Sequence, residues 1–162
     1  MKNSLILLFV LCFFSCLTFA KTKIAVLPFS NLDGNSDHNK YCYDLQDSLT
    51  KAFIEIDPDN EYIVVVPFEE VDELLNDYNI EANSPTFDTD KWKIKDDLGC
   101  DRIISGTFRI VANRFLINSY IYYPDTQITD MDFQAKDIFK KEDKILEAVP
   151  AIVKSLYKAF TQ

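Results

Sequence analysis

The sequence predicts an α/β domain: a mixed five-stranded sheet in β-α-β-α-α-β-β-β-α order with helices packed on it. Three observations predict this class. Two short apolar runs, Ile24–Leu27 and Tyr62–Val66, are each cut off by a proline, Pro28 and Pro67. Continuous apolar runs suit strands covered on both faces, as parallel strands are. Apolar residues recur at helical spacing behind each run, and from Asp101 to Lys136 the pattern changes to the alternation of an antiparallel meander.

Size and charge bound the rest. The chain has 162 residues, 48% hydrophobic and 14% aromatic, which suits one packed domain and argues against disorder. Its formal charge of −9 speaks against a nucleic-acid surface, and an anionic membrane face would repel it. Residues 1–20 read as a signal peptide, leaving 21–162 as a single domain. Lys2 starts it, Leu5 to Phe14 is its apolar run, and Thr18-Phe19-Ala20 offers small residues for cleavage. The run is too short for an ordinary spanning helix. Ser15-Cys16 supports a second route, in which Cys16 is acylated and anchors the chain. Loss of residues 1–20, which carry one lysine and no acid, takes the charge to −10.

In chain order, Ile24 to Leu27 is the first strand, stopped where Pro28 has no amide hydrogen to donate. Ser30 to Asn39 has a loop composition. Its Asp33-Gly34-Asn35-Ser36-Asp37 lacks the acid spacing of a calcium loop, and no Gly-Lys-Ser/Thr follows for phosphate. Tyr41, Cys42, Leu45, Leu49, Ala52 and Phe53 line one face of a helix. Asp57-Pro58-Asp59-Asn60 turns the chain into the second strand, and Phe68 to Tyr78 is a short acidic helix. Asp88 or Thr89 caps a third helix, which Gly99 ends. Asp101–Val111 and Arg114–Tyr123 are long strands, and Gly106 within the first marks a close approach. Ile128 to Lys136 alternates as a half-exposed edge strand. Ile145 to Phe160 keeps helical spacing, with Pro150 kinking or restarting the helix.

The cysteines that outlast the signal are Cys42 and Cys100. The first follows the exit end of strand one and the second precedes the entry of a neighbouring parallel strand. That is about 15–20 Å, against the roughly 7 Å limit for a disulfide, so no bond is expected.

Two local patterns resemble the TolB amino-terminal-like domains. These are Ile24-Ala25-Val26-Leu27-Pro28-Phe29-Ser30-Asn31-Leu32 and Leu98-Gly99-Cys100-Asp101-Arg102-Ile103-Ile104-Ser105-Gly106-Thr107-Phe108. The hairpin and closing helix extend the resemblance over about Lys21 to Phe160. Related domains occur in the flagellar protein FlgO, the curli secretion protein CsgG and the lipoprotein activators of penicillin-binding proteins. The resemblance implies an anticodon-binding-like α/β shape used in the bacterial envelope as a binding module without catalysis. Two departures stand out: no Pro-rich tether separates signal from domain, and Asp125-Thr126-Gln127 replaces the usual Thr-Gly turn.

Candidate sites follow. No catalytic residue, cofactor or metal site is expected. His38 is the single histidine, which disfavours triads and multi-histidine zinc sites, and a lone loop histidine is expected in solvent. Neither Cys42 nor Cys100 has a base nearby in the sequence. Glu69, Glu70, Asp72 and Glu73 read as a solvated helix start. Pro28, Phe29 and Asn31 follow the first strand, where open α/β sheets bind ligands. Tyr120 and Tyr122, with Tyr123, offer either a protein-binding face or core packing. The expected function is that of an exported, periplasmic or outer-membrane-associated, non-enzymatic protein that binds another envelope protein. It would not bind nucleic acid, and it would meet the membrane only through a lipid on Cys16. The alternatives are a subunit of a curli-pore-like or flagellar assembly, or a small hydrolase.

Overall fold

The computed structural model describes residues 20–162; the leader and Cys16 lie outside the described residues. The strands are β1 (Thr22–Val26), β2 (Ser30–Asn31), β3 (Ile63–Val65), β4 (Arg102–Val111), β5 (Arg114–Tyr123) and β6 (Ile128–Lys140). The helices are α1 (Lys40–Ile56), α2 (Phe68–Asp77), α3 (Phe87–Asp90), α4 (Lys95–Leu98) and α5 (Val149–Leu156). Short 3₁₀ turns sit at Ser36–His38, Lys91–Ile94, Glu142–Ala148 and Tyr157–Phe160.

The main path of the sheet is β3-β1-β4-β5-β6. β1 lies parallel to β3 (Ile24 beside Val65) and to β4 (Val26 beside Ile104). β4–β5 and β5–β6 are antiparallel hairpins. The α/β class and mixed sheet stand as expected, with one correction. The sheet has six strands, because the chain rejoins β4 after Pro28 and pairs Ser30 with Thr107. Pro28 removes a single donor; Leu27 N–H before it and Leu32 N–H after it still reach the carbonyls of Ile104 and Phe108.

Right-handed crossovers in opposite directions from β1 to β3 and from β3 to β4 put α1 on one face and α2–α4 on the other. α5 joins α1 on the inner face, where Ile104, Phe108, Ile117 and Ile121 are fully buried. Gly106 belongs to this face. A Cβ there would overlap the Phe29 ring and the Asn118 carbonyl, which is the close approach the glycine allows.

Two boundaries differ from expectation, and Pro150 takes the second of its two expected roles. Helix α3 starts at Phe87, ahead of the expected caps, and the segment breaks into α3, a 3₁₀ turn and α4 before Gly99 ends it at φ +52°. β6 runs on to Lys140, because a bulge at Asp137 (φ +57°) interrupts the alternation without ending the pairing. Asn118 Oδ1 accepts the displaced Asp137 N–H at 2.9 Å. Pro150 sits in the first turn of α5, so the closing helix restarts there after an irregular 3₁₀ segment.

Candidate docking surface

The sequence pointed to two separate patches, the end of β1 and the tyrosines of β5. The structure joins them through residues between α2 and β4. Past Pro28, Ser30 and Asn31 border a crevice of about 360 Å³ with the 82–88 segment opposite. Ser30 Oγ donates to Asp88 Oδ1 at 3.0 Å, and Lys91 Nζ donates to the same oxygen at 2.8 Å. Lys91 is buried, with its ammonium 5.5 Å from the ring centroids of Phe87, Trp92 and Tyr122. Tyr122 packs edge-on against Trp92 at 5.3 Å and against Tyr120 at 6.2 Å. A continuous strip thus runs from Ser30 through Asp88 and Lys91 to Tyr120 on the outer face.

The electrostatics of the strip follow from its geometry. Burial pushes Asp88 up, but the bond and charge of Lys91, with help from Ser30, outweigh it and hold the carboxyl below its ordinary value. Asp88 is therefore ionised at neutral pH and suited to holding Lys91. Burial, then the charge of Asp88 and the neighbouring Tyr120, push the Tyr122 hydroxyl up to about 12.

Of the sequence candidates, Pro28 and Phe29 are buried, Phe29 beneath α1 with its N–H on the Cys42 carbonyl at 3.1 Å. They support the strip from below and present no surface. Asn31 is half-buried and its side-chain amide bridges the Asn35 carbonyl and Asn39 Oδ1. Tyr120 and Tyr122 are half-buried on the outer face. His38 departs from expectation: only 7% exposed, it stands edge-on to Phe115 at 5.0 Å. Tyr41, Phe108 and Phe115 form an aromatic cluster that encloses it, with Nε2 3.7 Å from a Glu142 oxygen. Cys42 and Cys100 are free thiols at opposite ends of β1, each pushed up to about 11 by burial and hence protonated at neutral pH. Glu69, Glu70 and Glu73 are exposed on α2.

Sequence reasoning missed Asp88 and Lys91. The signal was present: Phe87, Lys91, Ile94 and Leu98 share one helical stripe, so Lys91 occupies an inward position and needs a partner.

This sheet, with two crossovers on opposite faces and a meander closed by one helix, defines a mixed α/β domain. No family model matches the chain, and no curated protein does. Among solved structures it is similar to the LpoB C-terminal domain from Salmonella enterica. The identity is 10%, over 76% of this chain and 84% of that one, with a TM-score of 0.50. It is also similar to Escherichia coli LpoB solved by NMR, again at 10% identity over 76% of this chain, with a TM-score of 0.54. That match spans 58% of the LpoB chain, less than two thirds of its length. TolB from Acinetobacter baumannii aligns at 17% identity over 89% of this chain and 29% of its own, with a TM-score of 0.44. The chain therefore has the fold of the LpoB C-terminal domain.

Proposed function

We propose that this chain is an exported, non-catalytic protein of the bacterial envelope whose outer sheet face docks a second envelope protein. The observation that carries the reading is the unequal cover of the sheet. The inner face of β4–β5 is sealed by helices, while Tyr120, Asn118 and Thr107 on the outer face stay half-open beside the Asn31 crevice. Aromatic side chains on a preformed sheet give a partner contact area at low entropic cost. The apolar leader and the LpoB-like fold support the envelope setting. Protonated thiols and an ionised, lysine-paired Asp88 are poorly suited to nucleophilic or acid–base work, which weighs against a hydrolase.

The test is site-specific photocrosslinking in intact cells. A photoreactive phenylalanine analogue at Tyr120 is expected to yield one discrete protein adduct, and the same probe at Glu55 on the helical side none. Equal labelling at both positions, or none at Tyr120, would count against the reading. Solution mass distinguishes a monomeric module from a subunit of a larger assembly.

A further inference from the structure

The end of the domain where the chain enters exposes several apolar and aromatic side chains. β1, β3 and β4 begin there, and the β5–β6 turn lies there. Ala20 lines a cleft of about 290 Å³ with Thr22, Tyr62 and Phe160. Tyr62 stands edge-on to Tyr157 at 6.5 Å, and Tyr157 in turn lines a groove of about 490 Å³ between α1 and α5 with Ile56 and Val153. Ile56 is 42% exposed, Tyr62 38% and Ile128, at the far side of the same end, 61%. Tyrosines with aliphatic neighbours on one end are the composition of a membrane-interface belt.

The tether says what faces this end. Three residues, 17–19, separate Cys16 from Ala20. Fully extended, that link spans about 14 Å. We infer that, with Cys16 acylated, the end bearing Ile56, Tyr62, Tyr157 and Ile128 rests on the phospholipid surface. The outer sheet strip is then presented sideways to a partner. The inference rests on the acylation route for the leader, which leaves Ala20 in the mature chain. Asp59, Glu61 and Asp125 stand at this end with Lys21 and Lys95, the last 3.8 Å from Asp125, and this mixture of both signs suits a zwitterionic surface.

The test uses the full-length gene expressed with its own leader. The protein is extracted from membranes, and mass spectrometry reads the amino terminus. It is then reconstituted into phosphatidylcholine vesicles with brominated acyl chains, which quench tryptophan at the interface. Relative to the parent, whose single tryptophan is Trp92, the Ile56→Trp variant is expected to be quenched about two-fold more. Ile128→Trp repeats the test at the same end. Leu32→Trp, at the opposite end of β1, is expected to add no quenching. Exchanging part of the lipid for phosphatidylglycerol is expected to leave the difference unchanged or reduce it. Equal quenching of Leu32→Trp and Ile56→Trp, no added quenching of Ile56→Trp and Ile128→Trp, or a gain with phosphatidylglycerol, would overturn the assignment. A mature terminus at Lys21 without acyl mass would overturn its premise.

Discussion

The two faces of the β4–β5 hairpin are made by the same strands and differ in every consequence. Ile104 beside Ile121 and Phe108 beside Ile117 face α1 and α5 and are fully buried. One residue along, Thr107 beside Asn118 and Ser105 beside Tyr120 face outward, with only the 87–98 segment for cover at the Tyr122 end. Because side chains alternate along a strand, the helix-covered residues lie on one face, while Thr107, Asn118 and Tyr120 stay half-open on the other.

The largest expected effect breaks the inner face alone. Gly106→Val drives two methyl groups into the Phe29 ring and is expected to cost about 3 kcal/mol, the upper end for overpacking. Tyr120→Ala on the outer face is expected to cost about 1 kcal/mol or less in the same urea titration. Comparable losses would mean that the outer face is core and the division drawn here is wrong.

The second effect probes the one place where the outer face is charged and closed. Asp88→Ala leaves the buried Lys91 ammonium without its carboxylate. Removing a partner from a fully buried pair costs about 3–5 kcal/mol, but the Asp88 side chain is 62% exposed, so about 1–2 kcal/mol is expected. Lys91→Met keeps the volume, removes both charge and need, and is expected to be near neutral by denaturation. A Lys91→Met loss larger than the Asp88→Ala loss would show that the aromatic rings, rather than the carboxylate, hold the lysine.

A third effect is read by pH at the end where the chain enters the domain. Asp57 accepts the N–H groups of Glu61, Tyr62 and Ile63 at 2.7–2.8 Å and starts β3. Burial pushes its carboxyl up, but these three bonds, with Lys21, outweigh burial and hold it below the ordinary 3.8. A depressed carboxyl adds stability that is complete above its unfolded value and is lost as pH falls through the folded one. Asp57→Asn is therefore expected to be less stable than the parent at pH 7, with the gap closing below about pH 4. A gap independent of pH would assign the effect to packing.

Much of this division was legible in the sequence. The apolar runs ended by Pro28 and Pro67 marked the parallel strands, and the alternation from Arg114 to Tyr123 separated Ile117 and Ile121 from Tyr120 and Tyr122. Gly106 announced a close approach, though not that Phe29 was the neighbour, because the pairing spans 77 residues and no local pattern encodes it. The same reason hid the Ser30–Asp88 bond, which joins β2 to α3 across 58 residues. His38 was misplaced on composition: a polar loop suggests solvent, while the cluster of Tyr41, Phe108 and Phe115 that encloses it forms only when β4, β5 and α1 meet. The extension of β6 was missed because a bulge erases the period on which a strand is recognised.

The smallest effect sharpens the comparison by acting on both faces equally. Ala112 and Asn113 connect β4 to β5 with φ of +50° and +59°. Two consecutive left-handed residues make the tight turn whose twist matches the strands, a position that suits Asn-Gly. Asn113 accepts it readily, whereas Ala112 carries a Cβ that crowds the following carbonyl, at roughly 1–2 kcal/mol. Ala112→Asn relieves part of that strain and Asn113→Gly adds freedom where φ is positive. The pair together is expected to raise stability by about 1 kcal/mol, read as a higher urea midpoint with an unchanged slope. Since the turn carries no side chain of the Ser30–Tyr120 strip, partner crosslinking at Tyr120 should be unchanged in the stabilised variant. A stabilised hairpin with altered crosslinking would mean that docking depends on strand flexibility and not on the outer face as a rigid surface.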